Sequence, residues 1–96
     1  MAVNEVTVEN NERAQRYETL IDGFRSIIQY RLEGDRITFL HTEVPAALEG
    51  RGIGSALART ALEDARARVL AVIPLCTFVR EYIRRHPEYE SLVQSA

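Results

Sequence analysis

Three glycines alternate near the middle of the chain, at Gly50, Gly52 and Gly54, and they constrain its fold more than any other feature. They stand between an alternating apolar run that ends at Val44 and an amphipathic run that begins at Gly52. Glycine inside a helix costs about 1 kcal/mol relative to alanine, so three of them do not serve helix building alone. The pattern predicts a strand, a tight turn, and a helix whose first N–H groups stay open to a ligand.

A pyrophosphate group suits such a turn, because the helix dipole places partial positive charge there. Glycine also lets a bulky anion approach the backbone closely. Arg51 and Ser55 flank the turn and offer charge-assisted and hydroxyl hydrogen bonds. The alternative is an ordinary tight turn that lets strand and helix pack. The strand before the glycines and the helix after them favour the phosphate site.

Two common phosphate-binding motifs are excluded by the sequence. All twelve basic residues are arginines, and a nucleotide P-loop needs a lysine after its second glycine. The dinucleotide fingerprint fails because its third glycine would fall on Ser55 or Leu57. The chain is also too short for the dinucleotide-binding fold.

The pattern of apolar residues predicts one α/β domain spanning residues 1–96. Four antiparallel strands form a meander, with Asp22-Gly23 as the strongest hairpin signal. A helix, a buried strand and a second helix ended by Pro87 complete a mixed sheet with helices packed on it. The predicted strands cover residues 6–9 (with 10–12 breaking the run), 16–21, 24–32, 36–44 and 69–73. The predicted helices cover residues 52–68 and 78–85, and a last helical turn covers 88–93.

Composition narrows the class of partner. The net charge of -2 gives no reason to expect nucleic acid. The sequence contains one cysteine, Cys76, so no intramolecular disulfide can form. His41, Cys76 and His86 are too far apart in the sequence to predict a metal site. The first residues do not have the pattern of a signal peptide, and no apolar run is long enough to span a membrane, so we expect a cytoplasmic protein. The small core leaves a homodimer as one option.

The glycine turn resembles the coenzyme A turn of the GCN5-related N-acetyltransferases. That family's pattern is Gln or Arg, two variable residues, and Gly-x-Gly or Gly-x-Ala, and here Glu49 replaces the first residue. The resemblance implies acetyl-CoA as cofactor and a strand ending beside the acetyl group. The cofactor contacts that it implies are Val44, Glu49, Gly50, Arg51, Gly52, Ile53, Gly54 and Ser55.

The chain is most similar to a subgroup of minimal acetyltransferase-like proteins. The similar stretches are residues 41–45, the glycine turn, 74–79 and 82–89. The resemblance implies an acetyl-CoA-binding fold without the N-terminal helices that usually shape the acceptor groove. It also implies a backbone N–H near Val44 that polarises the thioester carbonyl. The amine acceptor is unknown.

Three side chains are candidates for catalysis. His41 is expected on the face of its strand shared by Ile37 and Phe39, as a general base or as a hydrogen-bonded histidine of the sheet. Cys76 follows the last strand, and we expect it beside the acetyl group as a nucleophile or, preferably, as a small buried hydrophobe. Tyr82 is either the acid that protonates the leaving thiolate or, preferably, a core tyrosine.

Arg84 and Arg85 form a basic pair in the last helix, either as a solvated face or as contacts to coenzyme A phosphates. Three functions stay open. The leading hypothesis is an acetyl-CoA-dependent N-acetyltransferase. The alternatives are a non-catalytic acyl-CoA binder or sensor, and an interaction module stabilised by coenzyme A.

Overall fold

A computed structural model of the chain describes residues 6–94. In chain order the elements are β1 (Glu9–Asn11), β2 (Arg16–Ile21), β3 (Phe24–Glu33), β4 (Arg36–Glu43), α1 (Ile53–Ala67), β5 (Ala71–Pro74) and α2 (Thr77–Arg85). Two 3-10 segments, Ala46–Leu48 and Pro87–Leu92, follow β4 and α2. The order ββββ-α-β-α is the predicted one, and the second 3-10 segment takes the place of the predicted last helical turn.

All five strands form one sheet in the order β1-β2-β3-β4-β5. The first four pair antiparallel, whereas β5 runs parallel to β4. Parallel neighbours need a crossover connection, and α1 provides it. The predicted α/β class with a mixed sheet is therefore confirmed.

A two-residue turn sets the register between β2 and β3. Asp22 and Gly23 have φ angles of 54° and 80°, and a type I′ hairpin turn requires positive φ at both central positions. Ile21 pairs with Phe24 across the turn. The Asp-Gly pair forms the predicted hairpin.

The first strand begins three residues later than predicted. Asn11, which was expected to break the strand, pairs with Arg16 of β2. Its side-chain oxygen also accepts a hydrogen bond from the N–H of Ala14 at 3.1 Å, which closes the turn into β2. The prediction was wrong because asparagine here serves both the end of the strand and the turn after it.

The fifth strand also begins later than predicted, because Val69 and Leu70 terminate α1. Val69 has a φ angle of 55°, and the N–H of Leu70 donates to the carbonyl of Ala65 at 2.9 Å. The N–H of Val69 donates to the carbonyl of Arg66 at 3.1 Å. These two bonds define a Schellman helix end, so the strand starts only at Ala71.

The two helices cover one face of the sheet. α1 contacts β2, β3, β4 and α2, and helices on opposite faces of a sheet would be too far apart to touch. The large buried side chains of the covered face include Tyr17, Ile28, Tyr30, Ile37 and Phe39. The predicted apolar stripe of α1 packs against them and consists of Ile53, Leu57, Ala61 and Ala65. Exposed side chains on the opposite, open face include Leu20, Arg25, Gln29 and Arg31.

The helices are short. α1 has 15 residues and α2 has nine, whereas a membrane-spanning helix needs about 20 mainly apolar residues. Between residues 6 and 94, no helix combines the length and the apolar character needed to cross a bilayer.

Candidate functional site

The glycine turn adopts a conformation that needs glycine at two of its three positions. Gly50 and Gly52 have φ angles of 81° and 76°, in the left-handed region that side-chain-bearing residues rarely adopt. A Cβ at either position would project into open space. The turn therefore exposes backbone rather than side chains on this side, as the sequence predicted.

The helix that follows begins without a cap. Gly52 is its N-cap residue, nothing in the described part of the chain caps it through a side chain, and its first turn contains no acidic residue. A helix of this length carries roughly half a positive charge at its N-terminus. The first N–H groups, at Ile53, Gly54 and Ser55, lack intrahelical partners. This end of α1 is suited to an anion.

A pocket of about 240 Å³ opens at the same turn. It lies between the end of β4, the start of α1 and the first turn of α2. Its lining residues are Val44, Leu48, Glu49, Gly50, Gly52, Ile53, Gly54, Ser55 and Phe78. All the cofactor contacts expected before α2 except Arg51 are thus brought together.

Gly54 has a different role from the other two glycines. A Cβ at this position would lie 2.7 Å from the Cζ atom of Phe78, which is closer than atoms of packed side chains approach. Gly54 therefore lets α2 pack against the first turn of α1. Phe78 was not among the predicted site residues, since nothing in the sequence shows which side chain meets a helix glycine.

Arg51 points toward the hairpin between β2 and β3. Its Nη1 atom lies 3.0 Å from Oδ2 of Asp22, and both side chains are about half exposed or more. Exposed ion pairs contribute only about 0–1 kcal/mol. The guanidinium can therefore leave Asp22 for a stronger anion at modest cost.

The strands β4 and β5 separate next to the pocket. Their last pair joins Phe39 to Pro74, and the N–H of Cys76 donates to the carbonyl of Phe39 at 2.9 Å. Beyond this bond β4 continues to Glu43 while the chain after β5 turns into α2. The region between the two diverging segments, called the gap below, has Val44 at its outer end.

Thr42 and Cys76 meet across this gap. The Oγ1 atom of Thr42 lies 3.0 Å from the Sγ atom of Cys76, and either group can donate the hydrogen. Cys76 is 6% exposed. The cysteine therefore lies at the strand separation where the sequence predicted it, and Thr42 is a partner that the sequence did not reveal.

His41 lies on the opposite face from the one predicted. A register shift makes Tyr30 pair with Phe39 but Gln29 with His41, which leaves Leu40 as the extra residue of a β-bulge. A bulge reverses the alternation of faces, so Thr42 takes the covered face. The His41 ring projects from the open face, where its Nε2 atom lies 3.0 Å from Oε2 of Glu43.

Tyr82 packs between α2, α1 and the last 3-10 segment. Its ring stacks on His86 with a centroid separation of 4.0 Å, and Tyr89 lies 6.2 Å away. Burial raises the pKa of the Tyr82 hydroxyl. These contacts suit the core tyrosine that the sequence analysis preferred.

α2 contains three arginines, and two of them, Arg84 and Arg85, contact the carboxylate of Glu81. Arg84 bonds Glu81 one turn earlier, and this contact lowers the pKa of the Glu81 carboxyl. Arg85 follows Phe78 by seven residues, so both lie on the same side of α2. Arg85 is thus nearer the side of the pocket than Arg84.

A larger groove of about 1160 Å³ runs along the other side of α1, past β1 and β2. On its floor the hydroxyl of Tyr17 donates to Asp64, and Arg68 bonds the same carboxylate at 3.3 Å. Burial, together with Asp64, raises the pKa of Tyr17. These polar groups are satisfied internally, whereas the residues that carry the uncapped amides line the smaller pocket, which is the candidate cofactor site.

Comparison with known proteins identifies the family. Residues 16–92 match the model of the GCN5-related N-acetyltransferases. The chain belongs to this family. Membership confirms the predicted family and supports acetyltransferase activity in general. Members of the family generally use acetyl-CoA.

Two relatives and one solved structure extend the comparison. Protein NATD1 of Homo sapiens is 33% identical over 85 residues, which cover 85% of this chain and 75% of the relative. Protein NATD1 of Bos taurus is 34% identical over 90 residues, with the same shares covered. A GCN5-like protein from Staphylococcus aureus, solved by NMR, has a TM-score of 0.70 at 23% identity and is matched over 93% of its length. That structure shows the same fold.

The residues of this acetyltransferase's pocket fit coenzyme A. The uncapped amides at the start of α1 match a pyrophosphate, and the glycine conformations keep side chains away from it. Val44 lines this pocket, and the contact between Thr42 and Cys76 lies two residues further back along β4. This arrangement suits an anion at the mouth and a short acyl group at the end.

Proposed function

We propose that the chain is an acetyl-CoA-dependent N-acetyltransferase that acts on an amine acceptor. The observation that carries the proposal is the adjacency of two features. The uncapped N-terminus of α1 lines a pocket together with Val44, and Thr42 and Cys76 are in contact two residues back along β4 from Val44. The first feature suits the pyrophosphate of the cofactor, and the second suits its acetyl group.

Binding would rest mainly on the backbone of the glycine turn. The amides that begin α1 hold the pyrophosphate, Ser55 adds a hydroxyl, and Arg51 adds charge after it leaves Asp22. Val44 and Glu49 line the pocket on the side of β4. On α2, Arg85 is better directed than Arg84 to meet the remaining phosphate.

The bound cofactor supplies an acetyl group activated as a thioester. The chain supplies a hydrogen-bond donor for the carbonyl oxygen, which we assign to the N–H of Val44. Such donors stabilise the oxyanion most effectively when they are fixed in advance. Val44 is held at the end of β4, half-buried and packed against the core.

We assign the general base to His41, acting on an acceptor that approaches from the open face. Glu43 holds the ring through Nε2 at 3.0 Å, which leaves Nδ1 to take the proton from the amine. Their side chains are 56% and 65% exposed, so an acceptor in solution can reach them. A base oriented by a carboxylate is a recurrent arrangement in acyl transfer.

In this proposal the acetyl group passes directly from the thioester to the amine. Cys76 and Tyr82 therefore have structural roles. A covalent route would leave an acetyl group on Cys76 when acceptor is withheld. Because the chain contains no lysine, mass spectrometry can assign such a label without interference from acetyl-lysine. A hydroxylamine-sensitive acetyl group on Cys76 that is passed to added amine would replace direct transfer by the covalent route.

The proposal is tested by mixing the protein with acetyl-CoA and a panel of amines and following free thiol. We expect coenzyme A to raise the melting temperature and one class of amine to accelerate thiol release. His41→Gln should keep the thermal shift and lose roughly 100-fold in acceptor-dependent rate, the scale of a general base. Absence of any thermal shift would contradict cofactor binding.

A non-catalytic acyl-CoA binder is the second candidate. The open face of the sheet favours this candidate, because none of the described helices lies over that face to form an acceptor groove. Thermal stabilisation by coenzyme A with no amine-dependent thiol release across the panel would decide for this candidate and against the enzyme.

A further inference from the structure

We propose that Thr42 and Cys76 form the end wall of the acyl pocket and restrict the donor to the acetyl group. The inference rests on the proposed function, because it assumes that an acyl-CoA enters the gap between β4 and α2. It adds the determinant of acyl-chain length at that site.

The β-bulge is what places Thr42 at the wall. Thr42 pairs with Ile28 on the covered face, whereas His41 pairs with Gln29 on the open face. Without the extra residue Leu40, the histidine would occupy the covered face instead. The bulge therefore puts a small β-branched side chain where the gap closes.

Cys76 is fixed on the other side of the gap. Its N–H donates to the carbonyl of Phe39 at 2.9 Å, and its carbonyl accepts from the N–H of Arg80 at 3.0 Å as the N-cap residue of α2. Both bonds hold the backbone, so the Cα and Cβ atoms of Cys76 are fixed at the start of the helix.

The two side chains close the gap by direct contact. Sulfur and oxygen lie 3.0 Å apart, a separation that leaves no passage for a methylene group. Phe39 and Val79 of the adjacent core are 0% exposed. A longer acyl chain would have to displace either the contact or this core.

The distance from Val44 to Thr42 along the chain indicates how far the wall lies from the thioester. Residues two apart on a strand are separated by about 7 Å, so Thr42 lies about that far inward from Val44. With the thioester carbonyl bound at Val44, each further methylene brings the end of the acyl chain closer to this wall. One misplaced methylene changes selectivity by about 10- to 200-fold in closed apolar pockets.

The test is calorimetric titration of the full chain with coenzyme A, acetyl-CoA, propionyl-CoA and butyryl-CoA. We expect the wild-type protein to bind acetyl-CoA at least about tenfold more tightly than butyryl-CoA. Thr42→Ala and Cys76→Ala should each reduce this preference, and the double variant should reduce it by about tenfold or more. Free coenzyme A serves as the reference for folding, since its affinity should stay unchanged.

Thr42→Val is the matched control, because valine keeps the shape of threonine and removes only the hydroxyl. It should retain the wild-type preference for acetyl-CoA. Thr42→Ile tests the same wall from the opposite direction and remains informative if the alanine variants do not fold. It should weaken acetyl-CoA relative to free coenzyme A by about tenfold.

Two results would overturn the inference while leaving the proposed function intact. One is binding of butyryl-CoA by the wild-type protein as tightly as acetyl-CoA. The other is an unchanged preference in the double alanine variant that still binds coenzyme A. If the wild-type protein binds none of the four ligands, the proposed function itself fails and this inference fails with it.

Discussion

Each end of α1 has a residue in the left-handed conformation, but the two ends differ in the type of that residue and in how the free backbone groups are bonded. Gly52 at the N-terminus has a φ angle of 76°, and Val69 just beyond the C-terminus has a φ angle of 55°. The N-terminal end carries glycine and leaves its amides uncapped. The C-terminal end carries a β-branched residue that is 83% exposed, and its last carbonyls are bonded.

The difference separates binding from folding. At the C-terminus two backbone bonds, from Val69 and Leu70, hold an unfavourable valine in place. At the N-terminus, glycine removes the strain while the unsatisfied N–H groups are kept for a ligand. An end built only for stability would have a capping side chain, worth about 1 kcal/mol.

The largest effect is expected from filling the space at Gly54. Its Cβ would meet Phe78 Cζ at 2.7 Å, so Gly54→Leu should separate α1 from α2 and cost about 3 kcal/mol. Urea denaturation measures the loss. In a Phe78→Ala background the same substitution should cost about 1–2 kcal/mol less. Equal costs in both backgrounds would show that the ring is not the obstacle.

A second pair of variants separates strain from binding. Gly52→Ala and Gly34→Ala both place a side chain at positive φ, since Gly34 has a φ angle of 60° in the turn between β3 and β4. Each should destabilise the fold by about 1–2 kcal/mol. Only Gly52→Ala should weaken coenzyme A binding, by about tenfold or more in calorimetry. Equal affinities for the two variants would remove the special role of the N-terminal end.

At the other end of the helix, Val69→Gly should stabilise the protein. Glycine relieves about 1–2 kcal/mol of left-handed strain and costs about 0.5–1 kcal/mol in chain entropy, leaving a gain of up to about 1.5 kcal/mol. Thermal unfolding measures it, with Val69→Ala as a control that keeps the strain. A loss of stability on Val69→Gly would mean that the exposed valine makes a stabilising contact.

The smallest expected effect is a change in the pH dependence of stability at Tyr89, whose hydroxyl contacts the C-terminal half of α1. Tyr89 donates to Glu63 at 2.5 Å, and burial together with Glu63 raises its pKa to about 12. Because the ordinary value is about 10, this contribution to stability is full below pH 10 and is lost as pH rises toward 12.

Tyr89→Phe removes one titrating group from that range. Its unfolding free energy should therefore fall less steeply between pH 10 and 12 than that of the wild-type protein. The remaining slope should come from the other buried tyrosines, chiefly Tyr17, whose pKa is also raised by burial. Parallel pH profiles for the two proteins would contradict the role assigned to the Tyr89 contact.

Local signals predicted most of the fold. The Asp22-Gly23 hairpin, the alternating strands and the apolar stripe of α1 depend on neighbouring residues, which the sequence displays directly. The errors lie where side chains or distant backbone decide. Asn11 closes a turn that looked like a strand break, and the Schellman bonds of Val69 and Leu70 extend the helix end into a run of strand-forming residues.

The same holds for the candidate site: features set by neighbouring residues were predicted, and features set by distant contacts were not. The glycine turn and Cys76 were found because motif and position are visible along the chain. Thr42 and the face of His41 were not, since one extra residue in β4 reverses the alternation and no local signal marks it. Phe78 was missed because its role depends on how α2 packs against Gly54.

The central claim, that the uncapped start of α1 binds coenzyme A, is tested most directly by NMR titration of the ¹⁵N-labelled protein. On adding coenzyme A, the amide resonances of Ile53, Gly54 and Ser55 should shift most, while those of Val69 and Leu70 at the opposite end of the helix stay in place. Unchanged resonances at the start of α1, or the largest shifts along the groove lined by Tyr17 and Asp64, would contradict it.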